Sequence, residues 1–85
     1  MNARPDISPG AVIQVAGAEC VVFRVREVGH PFGDCEVVCN KEKPANVDVV
    51  WRDGAWAFTN PNDLGGYAER NRELWPFIRI LRGEV

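Results

Sequence analysis

Three thiols, one imidazole and one nearby carboxylate are the side chains in this sequence best suited to chemistry: Cys20, Cys35, Cys39, His30 and Asp34. A zinc site would draw on the same residues, but zinc favours closely paired ligands such as Cys-x2-Cys, which bring two thiolates to one tetrahedral ion. Cys35 and Cys39 stand four positions apart, and on an extended strand that is about 13 Å at ~3.3 Å per residue. The expectation is therefore no metal, with the cysteines acting as small buried hydrophobes. Cysteine–histidine catalysis would use Cys35 as nucleophile, His30 as base and Asp34 to orient the base. No nucleophile signature surrounds these residues, so the chain reads as a non-enzyme. Gly65-Gly66 has no strand-to-helix spacing around it and forms no phosphate loop. No cofactor is expected.

Binding is better represented than catalysis. The segment Gly29-His30-Pro31-Phe32-Gly33-Asp34 is dense in chain breakers and reads as an exposed loop. His30, Phe32 and Asp34 are its candidate ligand-binding residues, and a histidine there would let recognition respond to pH. Trp51, Trp56 and Trp75 join them, because rigid aromatics supply contact area at low entropic cost. Trp51 and Trp56 could instead fill a thin core, whereas Trp75, beside Pro76, reads as partly exposed.

A second class of partner is suggested by Arg24, Arg26, Arg52 and Arg79, which could form a positive stripe for single-stranded nucleic acid. Glu27, Glu36 and Asp48 fall in the same sheet region, however, and cross-strand ion pairs are the simpler expectation. Eight of the ten basic residues are arginine, a bias that coding in a GC-rich genome also produces. With ten basic against twelve acidic residues the formal charge is −2, unlike the basic balance common among DNA-binding domains.

The elements that must position these residues are mostly strands. Residues 1–9 read as a loose lead-in, and Pro9-Gly10 marks the turn into a domain spanning 10–85. Ala11–Val15 and Cys20–Val28 are expected strands, with Val21, Phe23 and Val25 on one face of the second and Arg24 and Arg26 on the other. Cys35–Asn40 is a third. Val47–Thr59 reads as a hairpin: Asp53-Gly54 suits a type I′ turn, which pairs Arg52 with Ala55, Trp51 with Trp56 and Val49 with Phe58. Val47, Val49, Trp51, Trp56 and Phe58 then share one face. Tyr67–Leu74 is the expected helix, ended by Pro76, and Phe77–Leu81 the expected last strand.

This order of elements resembles an SH3-like small barrel, the architecture of SH3, Tudor and KOW modules: Pro9-Gly10 before a short strand, a long second strand, the Asp53-Gly54 hairpin, and a short helix before Phe77-Ile-Arg-Ile. The resemblance implies a mainly β, single antiparallel barrel of five to six strands with one short helix before the last strand. It implies no function, although loops at one end of such barrels commonly frame a ligand groove. The Val-Gln-Ile-Tyr motif of small plasmid-borne dihydrofolate reductases, which use a related barrel, is absent, as is the peptide-binding aromatic pattern of signalling SH3 domains.

Composition sets the remaining bounds. The chain has 85 residues, 46% hydrophobic and 26% charged, which suits one small globular domain rather than a disordered tail. A domain of this size hides only about 60–65% of its unfolded surface. No run approaches the ~20 apolar residues of a membrane helix, and no secretory h-region is seen. The odd cysteine count favours a reducing cytoplasm. Val22, Val38, Val50, Ala55 and Ala57 are expected on the outward face, forming a patch to be covered by the Tyr67–Leu74 helix or by a second copy in a homodimer. The leading expectation is a binding module for a protein segment or small ligand. Nucleic-acid binding, and a small enzyme with a pocket shared between subunits, are the alternatives.

Overall fold

A computed structural model of the chain describes residues 3–62 and 65–84. Its framework is a meander of strands, each paired with the next. β1 (Val12–Val15) turns through Ala16-Gly17 into β2 (Ala18–Val25), with Val15 opposite Ala18 and Ile13 opposite Cys20. β2 runs antiparallel to β3 (Cys35–Cys39), and β3 to β4 (Ala45–Arg52). β4 then turns at Asp53-Gly54 into β5 (Ala55–Phe58).

That last turn forms as its residues dictate. Asp53 and Gly54 both take positive φ, 54° and 80°, as a type I′ turn requires. The register is the expected one: Arg52 faces Ala55, Trp51 faces Trp56 and Val49 faces Phe58. A parallel contact at Val15 and Trp56 joins β1 to β5 and closes the ring in the order β1, β2, β3, β4, β5. The protein is thus a small closed five-stranded barrel of SH3-like architecture. A sixth strand, β6 (Gly66–Tyr67), adds to β4 opposite Ala45 and Asn46.

Two apolar clusters lie on opposite sides of this wall. Ile13, Val15, Cys20, Val22, Cys35, Val37, Val49 and Trp56 fill the barrel, with Val47, Trp51 and Phe58 packed against them. Val21, Val38, Ala68, Leu74, Ile78 and Leu81 form a second cluster outside it. A register shift between Val22 and Arg24 separates the two halves of β2. Strict alternation would put Val21, Phe23 and Val25 on one face. The irregularity instead leaves Val21 and Phe23 with the outer cluster and returns Val25 to the inner one.

The outer cluster is made by the C-terminal segment, where the expected elements exchange places. Phe77–Leu81 is not a strand: Trp75–Leu81 forms the α-helix α1. Pro76 sits at its first turn, where the missing N–H costs nothing and the fixed φ favours a helical start. Leu74, Ile78 and Leu81, spaced by four and three, are all buried against the barrel wall. Tyr67–Leu74 is not the expected helix either. It holds the end of β6 and two 3-10 turns, Ala68–Arg70 and Arg72–Leu74. The Asn71 side chain caps the second turn by accepting the Glu73 N–H at 3.0 Å. Among the described residues the one α-helix therefore follows the last strand.

This packing also dissolves the expected outward apolar patch. Val22 is inside the barrel and Val38 lies beneath α1. Val50 and Ala57 are half-buried, and of the five only Ala55 is exposed. Among the described residues no helix is long and apolar enough to cross a membrane.

Candidate functional site

The 29–34 loop is built from two successive turns. The His30 N–H donates to Glu27 O at 3.1 Å and the Gly33 N–H to His30 O at 3.0 Å. The His30 ring braces the loop from outside: its Nδ1 accepts the Phe32 N–H at 3.1 Å, and the two rings lie 5.5 Å apart. Phe32 is 60% exposed, with the Arg26 guanidinium 5.7 Å from its ring centre.

Gly33 brings this loop against the end of the β4–β5 hairpin. Its φ is +117°, and a Cβ there would fall 2.5 Å from Thr59 Oγ1 and 2.6 Å from Val49 O. A glycine is required on both counts. The close approach sets Pro31 and Phe32 opposite Thr59 and Asn60, and a pocket of about 300 Å³ opens between them over Asn46, Val47 and Asp48. Two of the residues lining this pocket carry a buried polar atom without a partner. Asn46 Nδ2 and Thr59 Oγ1 are withdrawn from solvent and have no hydrogen-bond partner among the described residues. Buried polar groups are nearly always paired, so an orphan donor and an orphan hydroxyl on two residues of one pocket single it out as the candidate site.

A second hollow, of about 520 Å³, lies along the same strand. It is bordered by Cys39, Lys43, Phe58, Pro61 and the exposed Tyr67, among others. Val47 lines both hollows.

Of the residues singled out by sequence, only Phe32 lines the smaller pocket. Asp34 serves the scaffold instead: it is buried, accepts Arg4 Nη1 at 3.1 Å through Oδ1 and accepts the Trp51 N–H at 2.7 Å through Oδ2. It thereby ties the N-terminal segment, the loop and β4 together. Trp56 is buried inside the barrel, and Trp51 packs edge-on to it at 5.1 Å. Trp75 stands at the start of α1, its Nε1–H donating to Glu69 O at 3.1 Å. It belongs to the outer cluster, away from the loop.

Arg24 and Arg26 are engaged in the expected cross-strand ion pairs. Arg26 is only 11% exposed, with Glu36 at 3.3 Å and Asp48 at 2.7 Å. Arg24 pairs with Glu36 at 3.5 Å, Arg52 ends β4, and Arg79 lies on α1.

Cys35 and His30 do not meet as a catalytic pair. His30 is exposed in the loop, whereas Cys35 is fully buried in the barrel. Burial pushes the Cys35 thiol up to about 12, the neighbouring Asp34 adding to the effect, so this group stays protonated. Among the described residues no three histidine, cysteine or acidic side chains converge as metal ligands.

Sequence reasoning assigned none of Asn46, Val47, Asp48 and Thr59 to a site, naming Val47 only for the hairpin face and Asp48 only for ion pairing. Nothing local marks them, because the pocket depends on a contact between residues 31–33 and 59–60 that only the folded barrel creates. No protein-family model matches this chain, and no curated protein or solved structure matches it either.

Proposed function

We propose that this chain is a non-enzymatic binding module that takes an extended protein segment in the trough running from Phe32 across Val47 to Tyr67. The observation that carries this reading is the pair of orphan atoms, Asn46 Nδ2 and Thr59 Oγ1, at one pocket. Leaving such a group unpaired costs about 1–3 kcal/mol, and a ligand carbonyl at Asn46 together with a donor or acceptor at Thr59 recovers that cost on binding. A peptide backbone offers both groups repeatedly. The exposed rings of Phe32 and Tyr67, 60% and 64% accessible, supply apolar contacts at either end. Two hollows adjoining at one valine suit an elongated ligand better than a compact one. The three cysteines all carry free thiols, and we place the module in a reducing cytoplasm.

Selection of a random peptide library on the immobilised protein tests this, followed by affinity measurements on the enriched peptides. Phe32→Ala and Thr59→Val should each weaken binding by about tenfold, the worth of ~1.4 kcal/mol, with circular dichroism unchanged. Peptides that bind both variants as well as the parent, or a library that yields no binder, would overturn the proposal.

A further inference from the structure

Cys20 and Cys39 face each other directly across the β2–β3 ladder. The hydrogen-bond pattern shows which kind of pair they make. Val15 and Ala18 close a two-residue hairpin, so they exchange backbone bonds, and Ile13 and Cys20, two positions along, do the same. The Val22 N–H and C=O also point towards the first strand, bonding Ala11 O at 2.8 Å and the Gly10 N–H at 2.7 Å. The backbone of Cys20 is thus turned away from β3, and Cys20–Cys39 is a non-hydrogen-bonded pair. In such pairs Cα atoms approach to about 4.5 Å and the side chains come closest. That separation lies within the range a disulfide spans, about 4.4–6.8 Å between Cα atoms.

The two thiols differ in access. Cys20 is fully buried in the barrel, whereas Cys39 is partly exposed and lines the larger hollow together with Lys43. We propose that Cys39 is an oxidation site open to hydroperoxides, with Cys20 as the resolving thiol that completes a reversible cross-strand disulfide. The Cys39 sulfur attacks one peroxide oxygen, the O–O bond breaks, and the other oxygen leaves as an alcohol or water after taking up a proton. Cys39 is now a sulfenic acid. Cys20 sulfur then attacks Cys39 sulfur, hydroxide leaves and takes the Cys20 proton as water, and the peroxide has been reduced by two electrons drawn from the two thiols. The facing Cys39 and burial hold the Cys20 thiol above its ordinary range, its S–H directed at Ala18 O at 3.7 Å, while Cys39 is shifted below that range by its contact with Cys20. The thiolate therefore forms on the exposed partner. Cys35, buried and shifted the other way, takes no part.

The test treats the full chain with hydrogen peroxide, alkylates the remaining thiols and maps the products after digestion with trypsin and a protease that cleaves after Glu36, which separates Cys35 from Cys39. The parent and Cys35→Ala should each lose the mass of two hydrogens, show a Cys20–Cys39 linked peptide without covalent dimers, and regain the mass on reduction with dithiothreitol. Cys20→Ala should accumulate a dimedone-reactive sulfenic acid at Cys39. A bridge to Cys35, covalent dimers in place of the internal link, or an unchanged mass in the parent and Cys35→Ala would overturn the proposal. Those last two proteins decide it even where Cys20→Ala fails to fold.

Discussion

The inner and outer apolar clusters share one wall and are built on opposite plans. Inside, side chains from five strands meet, and the contacts join residues far apart in the chain, from Ile13 to Trp56. Outside, a short C-terminal run, Ala68 to Leu81, lies on two valines of the wall, Val21 and Val38. β2 and β3 are consequently buried on both faces, which explains the unbroken apolar stretches Cys20-Val21-Val22 and Val37-Val38. β4 and β5 pack one face into the barrel, through Val47, Val49, Trp51, Trp56 and Phe58, and among the described residues have no second cluster on the other. The inner cluster defines the ring, while the outer one is a layer laid upon it.

The sharpest way to break this picture is from within. Trp56→Ala removes a residue that fills the barrel and also meets Val15 at the point of closure. A loss of about 3–5 kcal/mol is expected from chemical denaturation, and a loss below 1 kcal/mol would mean that the ring does not depend on its interior. Ile78→Ala, in the outer layer, should cost about 2–4 kcal/mol. Its distinctive result is local: amide exchange should accelerate in α1 and the preceding turns while the β3–β4 ladder keeps its protection. Uniform acceleration would make the two clusters one cooperative unit.

The third expectation concerns pH. Cys35 moves from 9.0 to about 12 on folding, so the folded state holds its proton more tightly than the unfolded state. The contribution is fully present below pH 9, declines as the unfolded thiol ionises, and is lost towards pH 12. Cys35→Ala should flatten this alkaline decline in melting temperature, and an identical slope in both proteins would contradict it. The smallest effect belongs to the exposed face. Arg24→Ala removes a pair whose arginine side chain is 58% accessible, and its cost in a melting experiment should stay within about 1 kcal/mol. A larger loss would reveal an energetic role for the charged face that neither cluster explains.

The same contrast decides what could be read from the sequence. Asp53-Gly54 and the alternation around it specify a hairpin locally, and its register follows from the turn alone. The barrel architecture was legible for the same reason, since a meander is a succession of local pairings. Phe23 was harder. Nothing in Val21-Val22-Phe23-Arg24 announces that the strand slips by one residue, and the slip alone decides which face receives Val25. The C-terminal segment misled because Phe77, Ile78, Ile80 and Leu81 favour strands by composition. Leu74, Ile78 and Leu81 carry the helical spacing, but it becomes decisive only where Val21 and Val38 offer a surface to cover. The candidate pocket was legible only at Phe32. Its other walls come from Asn46 and Thr59, polar residues whose role depends on where Gly33 lets the loop settle.

The seam between β1 and β5 sets an order of assembly. Each other junction in the ring joins strands consecutive in the chain, so it can form once its second member has been synthesised. The seam joins the two ends of the meander, Val15 and Trp56, and has to wait for β5. Until β5 is in place, a ladder of the first four strands is unsealed and β1 keeps one bare edge. Bare strand edges are templates for pairing with other chains. The closing contact, narrow as it is, is what ends the nascent chain's exposure to its neighbours.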